Sequence, residues 1–360
     1  MRKSPDKDRL SIWIPTYLLQ YLGIDLKYLR KETFMNTSNE IMSFHLRSSV
    51  VDAHGDNLSK YLKKYSYNNP LQEDPALDIQ SYFTGGVNLQ FLALYTPQDF
   101  IPHSTIQFTL EMIDLFYRWK KENSEVLYLI TSKKDIELLE EGKLFCLLSI
   151  EGGEALDGKL FMLDLYYRLG VRAMGLTWNG RNLLADGVNS GNNPGGLTFF
   201  GEEIVKKMNT LGMIIDVSHI SEKSFWDVIK LSSEPVIASH SNCFSLHKHI
   251  RNLKDEQIRA IAEKGGVIGI TFVSDFLGEG VVTIEQVVNH IEHIIDITGG
   301  YDTAGIGSDF YGTDKLPEGL KDISFLPRLT ESLVKRGHKY KDIEKIIGKN
   351  WLRILSQILK

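Results

Sequence analysis

Cysteine is scarce in this chain: Cys146 and Cys243 are the two among 360 residues. Two thiols cannot supply a disulfide framework, so the fold must be held by its core, and a reduced, cytoplasmic setting is expected. Long apolar runs are missing too. None approaches the ~20 residues needed to cross a bilayer, so no membrane partner is expected. Nor is there an excess of positive charge. The formal net charge is −5 and no Lys/Arg stripe runs through the sequence, which argues against nucleic acid as a partner. With 42% hydrophobic and 24% charged residues, the composition is that of a globular protein. The length allows one large α/β barrel or two ordinary domains.

The stretch from Leu10 to Ile24 is fairly apolar, but Pro15, Gln20 and two tyrosines interrupt it and Asp6 and Asp8 precede it. It lacks the continuous apolar centre and the small-residue cleavage site of a secretory signal. Residues 1–46 are read as a partly helical N-terminal extension that packs on the rest of the chain or on a partner subunit, as in a homodimer. Residues 47–360 form the main domain.

Within that domain, apolar runs of strand length alternate with segments of helical period. The runs are 48–53, 86–95, 145–150, 171–177, 212–218, 235–239, 266–272 and 303–308. Several are continuous rather than alternating, such as Gly-Met-Ile-Ile-Asp-Val from Gly212, as parallel strands covered on both faces require. Helices are predicted between them. Phe199 to Leu211 sets Ile204, Val205 and Met208 on one stripe, and Lys254 to Lys264 turns Ile258 and Ile261 inward. Eight strand-and-helix units predict a (β/α)8 barrel of the TIM type, whose chemistry lies at the C-terminal mouth. The polar loop Asn179 to Gly196 follows the fourth run and should cover that mouth. A doubly wound sheet is the weaker alternative, because no Gly-rich phosphate turn follows an early strand.

Metal-type residues stand at the ends of these runs. The first ends in His54-Gly55-Asp56, the third in Glu151-Gly152-Gly153, the fifth in His219, the sixth in His240 and the eighth in Asp309. Residues two apart on an extended segment point to one side, so His54 and Asp56 can grip one ion, although the same pair is also a common structural hydrogen bond. Glu151 has two oxygens and can bridge two cations; the competing role is a cap on the next helix. His219 and His240 at equivalent strand ends complete a two-metal set. Asp309, facing two cations, should be ionised and able to take a proton from water. Arg251 is suited to a substrate carboxylate, or is a surface arginine at a helix start. His45, His103, His290, His293 and His338 lie in helical or loop context and are expected at the surface. His247 and His249 follow the sixth run, near enough for contact with the ligand shell or substrate. Cys243 is expected to be a buried, inert thiol.

Together these motifs give the chain a close likeness. Val-Asp-Ala-His-Gly-Asp (51–56), Gly-Gly-Val-Asn-Leu-Gln-Phe (85–91), Ser-Ile-Glu-Gly-Gly (149–153) and Gly-Val-Arg-Ala-Met-Gly-Leu-Thr-Trp-Asn (170–179) carry it in the first half. Leu-Ala-Asp-Gly (184–187), Gly-Leu-Thr-Phe-Phe-Gly (196–201) and Met-Asn-Thr-Leu-Gly-Met-Ile-Ile-Asp-Val-Ser-His (208–219) follow. Ile-Ala-Ser-His-Ser-Asn (237–242), Arg251-Asn252, Ile-Gly-Ser-Asp-Phe (306–310) and Gly-Lys-Asn-Trp-Leu-Arg (348–353) complete it. From about residue 48 to 356 the sequence resembles the membrane (renal) dipeptidases and their bacterial relatives, zinc enzymes of the amidohydrolase-like barrel superfamily.

The resemblance implies a dipeptide substrate and two Zn2+ per chain, one held by His54, Asp56 and Glu151, the other by Glu151, His219 and His240. It implies attack by a metal-bridging hydroxide, Asp309 as acid/base, and Arg251 on the free C-terminal carboxylate. Mn2+ or Co2+ would suit the same donors. Three positions depart from the family pattern. Trp178 replaces a histidine that touches the reacting carbonyl in mammalian members. Tyr311 replaces a frequent acid, and Val273 an aromatic that helps hold the substrate carboxylate. The metal set is intact and the pocket is altered, with Trp178 as a substrate contact. Two alternatives therefore stand beside a dipeptidase: a hydrolase of another small amide or lactam, and a family member that binds a small molecule without turnover.

Overall fold

The computed structural model describes residues 38–65, 71–101, 103–139 and 142–360. The apolar runs become parallel strands: β1 (Val50–Gly55), β2 (Val87–Tyr95), β3 (Leu127–Leu129), β4 (Leu144–Glu151), β5 (Val171–Gly175), β6 (Ile214–Asp216), β7 (Val236–Ala238), β8 (Val267–Ile270) and β9 (Ala304–Ile306). Eight of them lie side by side in the order β1-β2-β4-β5-β6-β7-β8-β9. The ends of that row meet beyond the ladders, where Gly55 bridges Phe310, the Asp56 N–H donates to the Phe310 carbonyl at 3.0 Å and the Asp309 N–H to that of His54 at 3.2 Å. The result is a nearly closed (β/α)8 barrel, the expected fold. β3 is the strand the sequence did not announce. It pairs with β4 outside the row, and three residues are too few to show a period.

The run 212–218 narrows to Ile214–Asp216 because the backbone then turns: the Asp216 carboxylate accepts the Ser218 N–H at 2.9 Å, and His219 has φ +65°. The helix Phe199–Leu211 is capped by the Thr198 hydroxyl on the Gly201 N–H, buries Ile204, Val205 and Met208, and ends at Gly212 in the left-handed region. Asp255–Glu263 likewise buries Ile258 and Ile261.

Two apolar layers result. Helix stripes pack on the outward strand faces. Inside, Val51, Leu89, Ala173, Ile214, Ile237 and Val267 form a second cluster with Trp351, Ile354 and Ile358 of the helix Asn350–Ile358. Several of these residues begin their strands, so the C-terminal helix plugs the end of the barrel opposite the strand ends. Trp351 is fully buried and its Nε1–H donates to the Ile306 carbonyl at 3.0 Å, so truncation to Ala should cost about 3–5 kcal/mol.

The expected extension 1–46 lies mostly outside the described residues. Its last part belongs to a helix, Asn39–Arg47, that buries Ile41, Met42, His45 and Leu46 and leads directly into β1. Two histidines expected at the surface are corrected here. His45 and His290 are buried, 0% and 1% exposed, because helix periodicity turns both toward a neighbour. His45 sits between the Thr330 hydroxyl at 2.7 Å and the Gly85 carbonyl at 2.8 Å. His290 accepts the Cys243 N–H at 3.0 Å and faces the Leu277 carbonyl at 3.2 Å. Cys243 is buried, with its thiol pushed above its usual range by that burial. Among the described residues, no helix is long and apolar enough to cross a membrane.

Candidate metal centre

The strand ends bring the expected residues to one place. His54 lies in β1 and Asp56 just beyond it, at the start of the helix Asn57–Lys64; Glu151 ends β4. His219, His240 and Asp309 follow β6, β7 and β9 within three residues. Ligand atoms of His54, Glu151 and His240 lie within 4.8 Å of one another, as do those of His54, Asp56 and Asp309. Glu151 stands between the imidazoles and divides its oxygens among them. Its Oε1 is 3.0 Å from His219 Nε2 and 3.5 Å from His240 Nε2, while Oε2 is 3.5 Å from His54 Nε2. On its other side, His54 Nε2 is 3.8 Å from Asp56 Oδ2 and 3.9 Å from Asp309 Oδ1.

The donor set fits divalent cations on the structure's own terms. His54 Nε2 is buried and has no hydrogen-bond partner, a costly state for an imidazole nitrogen unless an ion takes its lone pair. His219 Nε2 and His240 Nε2 face each other at 2.7 Å, while their Nδ1 atoms are held by Asn179 Oδ1 at 2.7 Å and Ser239 Oγ at 2.8 Å. With hydrogens on both Nδ1 atoms, both Nε2 lone pairs converge on one point. Three carboxylates, Asp56, Glu151 and Asp309, crowd the same space.

The electrostatics follow from that crowding. Burial works against charge on His54, but Glu151, Asp56 and Asp309 outweigh it and hold its pKa well above the usual value. Burial likewise opposes ionisation of Glu151, yet His54 and the neighbouring imidazoles keep it well below the usual carboxylate range. His219 is pulled down to about 3 by burial and by Arg251, and His240 falls well below its usual value through burial and His54. Asp309 is pushed up to about 7, by burial first and then by Asp56 and Glu151. The protein's own groups thus favour a protonated Asp309; cations in the site would pull it back toward the ionised form.

Arg251 is 5% exposed, despite a local sequence equally suited to the surface. Its Nη2 donates to the His240 carbonyl at 3.0 Å and its Nε has no partner. Burial lowers its pKa to about 10, so it stays charged at neutral pH. A cavity of about 260 Å3 lies beside it, lined among others by Val188, His219, Ser241, Phe244 and His249. The loop after β5 does reach this cavity, through Gly187, Val188, Gly191 and Pro194. A larger hollow of about 880 Å3, around Asp74, Asp78 and Trp119, contains none of these residues. Trp178 is half-buried, its ring 5.8 Å from that of His219 and 5.3 Å from that of Tyr95. Val273 is buried, and Tyr311 turns its hydroxyl to the Pro75 carbonyl at 2.8 Å.

Among the described non-glycine residues, four have positive φ, and two of them are His219 (+65°) and Asp309 (+64°). Such strain persists where surrounding contacts over-determine it, and it concentrates at functional sites. Sequence reasoning passed over Asn179, which holds His219, and Gly312, where an added Cβ would collide with Asp309 Oδ1 and Asp56 Oδ2. Asn179 stood in a quoted motif but carried no metal-type donor. Gly312 had no local signal at all.

Known proteins resemble this chain in sequence and fold. Residues 38–360 match the family described as membrane dipeptidase, peptidase family M19. An uncharacterized protein from the pqqA 5′ region of Klebsiella pneumoniae is 36% identical over 270 residues, 72% of this chain and 98% of that protein. Among solved structures, a metallo peptidase from Rhodobacter sphaeroides, liganded with a phosphinate mimic of the dipeptide L-Ala-D-Ala, superposes with a TM-score of 0.80 at 26% identity. That match covers 86% of this chain and 99% of the other. The dipeptidase AC of family M19 gives 0.78 at 26% identity, covering 87% and 99%.

Proposed function

The chain belongs to the membrane dipeptidase family, and on that premise we propose that it is a two-cation dipeptidase. His54, Asp56 and Glu151 would hold one divalent ion and Glu151, His219 and His240 the other, with Zn2+ the first expectation and Mn2+ or Co2+ compatible with the same donors. The observation that carries this reading is the division of Glu151, with one oxygen toward His219 and His240 and the other toward His54. When bound, such a pair polarises the scissile carbonyl and makes water acidic enough to attack near neutral pH.

The remaining roles belong to the chain's own groups. Asp309 Oδ1 lies 3.9 Å from His54 Nε2, and cations in the site would restore its ionised form, which can take up a proton. It accepts the proton released by the attacking water and delivers it to the leaving amine nitrogen. Arg251 presents a buried guanidinium with an unpartnered Nε, which suits the C-terminal carboxylate of the substrate. Arg251 donates to the carbonyl of the ligand residue His240, and a carboxylate held so near the centre would favour dipeptides over longer peptides. Trp178 stands with its ring 5.8 Å from that of His219, where it would limit what reaches the reacting carbonyl.

That indole favours a second reading, a hydrolase of another small amide or lactam with the same cations. A substrate panel on metal-reconstituted protein separates the two. It should contain L,L and L,D dipeptides, their C-terminal amides, tripeptides and a β-lactam. L,D members are included because a structural relative binds a mimic of L-Ala-D-Ala. Free dipeptides should be cleaved and their amides should be poor substrates. Intact dipeptides with a hydrolysed lactam would favour the second reading, and equal cleavage of the amides would remove the role given to Arg251.

A further inference from the structure

Two buried aspartates outside the ligand set have the same surroundings. Asp52, in β1, accepts the His54 N–H at 3.4 Å and the Ser308 N–H at 2.7 Å on Oδ1, and the Ser308 hydroxyl at 2.6 Å on Oδ2. Asp216, in β6, accepts the Ser218 N–H and the Ser239 N–H on Oδ1, both at 2.9 Å, and the Ser239 hydroxyl on Oδ2. Each takes the amide two residues further along its own segment and both donors of a serine just past the end of a neighbouring strand. Each stands where regular pairing runs out: the β6–β7 register ends at Asp216, and β1 meets the β9 side through a single bridge. An aspartate in a barrel wall is costly unless donors surround it, and these two each have three.

The residue after each serine is a site residue, His240 in one case and Asp309 in the other. We propose that Asp52 and Asp216 are paired positioning residues that set the backbone from which Asp309 and His240 project. At β6 the clasp also sets a tautomer. A carboxylate has no proton to give, so the Ser239 hydroxyl hydrogen goes to Asp216. The Ser239 oxygen can then only accept from His240, which puts the ring hydrogen on Nδ1 and leaves Nε2 free for an ion. At β1 the clasp frames residue 309. Ser308 Oγ accepts the Phe310 N–H at 3.2 Å and lies 3.3 Å from the His54 carbonyl, which itself takes the Asp309 N–H, so the strained φ of +64° is held from both sides. This inference rests on the metallopeptidase reading for what His240 and Asp309 do, but the clasp geometry can be judged apart from it.

The test is Asp216→Asn, read by histidine 15N NMR on metal-free protein and by Zn2+ competition against a chromophoric chelator. The amide Nδ2 donates where the carboxylate accepted, so the Ser239 hydroxyl must turn to His240 Nδ1 and move the ring hydrogen to Nε2. Expected are that tautomer change and a loss of affinity for the weaker Zn2+ of roughly 10–100-fold. Ser239→Ala should lose affinity similarly, and Ser239→Thr, which keeps the hydroxyl, should restore it. Asp52→Asn should lower kcat about tenfold or more with KM little changed, as displacement of a positioned acid/base requires. A wild-type tautomer with wild-type Zn2+ affinity in Asp216→Asn would overturn the proposal. So would tight Zn2+ binding by Ser239→Ala, should the asparagine variant not fold. If wild-type protein bound none of Zn2+, Mn2+ and Co2+, the metallopeptidase reading would fail, and the tautomer comparison would still decide the clasp.

Discussion

Between pH 7 and pH 4 the metal-free protein should lose stability at His45, far from the metal centre. The imidazole is neutral and satisfied, with Nε2–H on the Gly85 carbonyl and Nδ1 accepting from Thr330. Burial lowers its pKa from 6.5 to about 4, against a small opposing effect of the Gly85 carbonyl. A depressed pKa means the folded state binds the proton later than the unfolded chain does. The stability it contributes is therefore fully present above pH 6.5 and is lost as pH falls through about 4. At 1.36 kcal/mol per unit, and with the folded group half protonated at the lower limit, the loss by pH 4 is about 3 kcal/mol. Urea unfolding of wild type and His45→Gln at pH 7, 6, 5 and 4 isolates it. Glutamine keeps a donor and an acceptor but does not titrate in this range. The wild type should lose about 3 kcal/mol more than the variant across the series. Parallel curves would refute the reasoning and show that the cavity around His45 admits the charge.

Other outcomes follow from the centre itself. Glu151→Gln should lose most of both metal ions on dialysis, by elemental analysis, because one carboxylate serves both; two ions retained tightly would contradict the bridging role. Asp309→Asn should reduce turnover roughly 10²-fold or more while a product-like inhibitor binds within a few-fold of wild type; a wild-type rate would move proton transfer to another group. Trp178→His should raise turnover of a simple dipeptide about tenfold or more at unchanged metal content, since the imidazole can donate to a developing oxyanion; a fall would make Trp178 an evolved contact for a different substrate.

Much of this was legible in the sequence, for a definite reason. Parallel strands covered on both faces read as continuous apolar runs, and residues at their ends, such as Glu151, His219 and His240, converge because the barrel has one mouth. What stayed hidden depends on partners distant in the chain. Nothing around Arg251 distinguished a surface arginine from one buried against the His240 carbonyl. His45 looked exposed because its helix gave no hint of Thr330, 285 residues later, as its partner. Asp52 and Asp216 lay inside quoted motifs, and an acid in an apolar run was a signal that each has donors waiting. Which donors, Ser308 and Ser239, became visible once the strands were side by side.

The central claim is a dipeptidase that works with two cations. Titrating Zn2+ into metal-free protein while following hydrolysis of a cleaved dipeptide tests it most directly. The account predicts that activity rises to a plateau at two equivalents per chain and that Glu151→Gln shows no such plateau. Full activity at one equivalent, or no hydrolysis at any metal content, would contradict it.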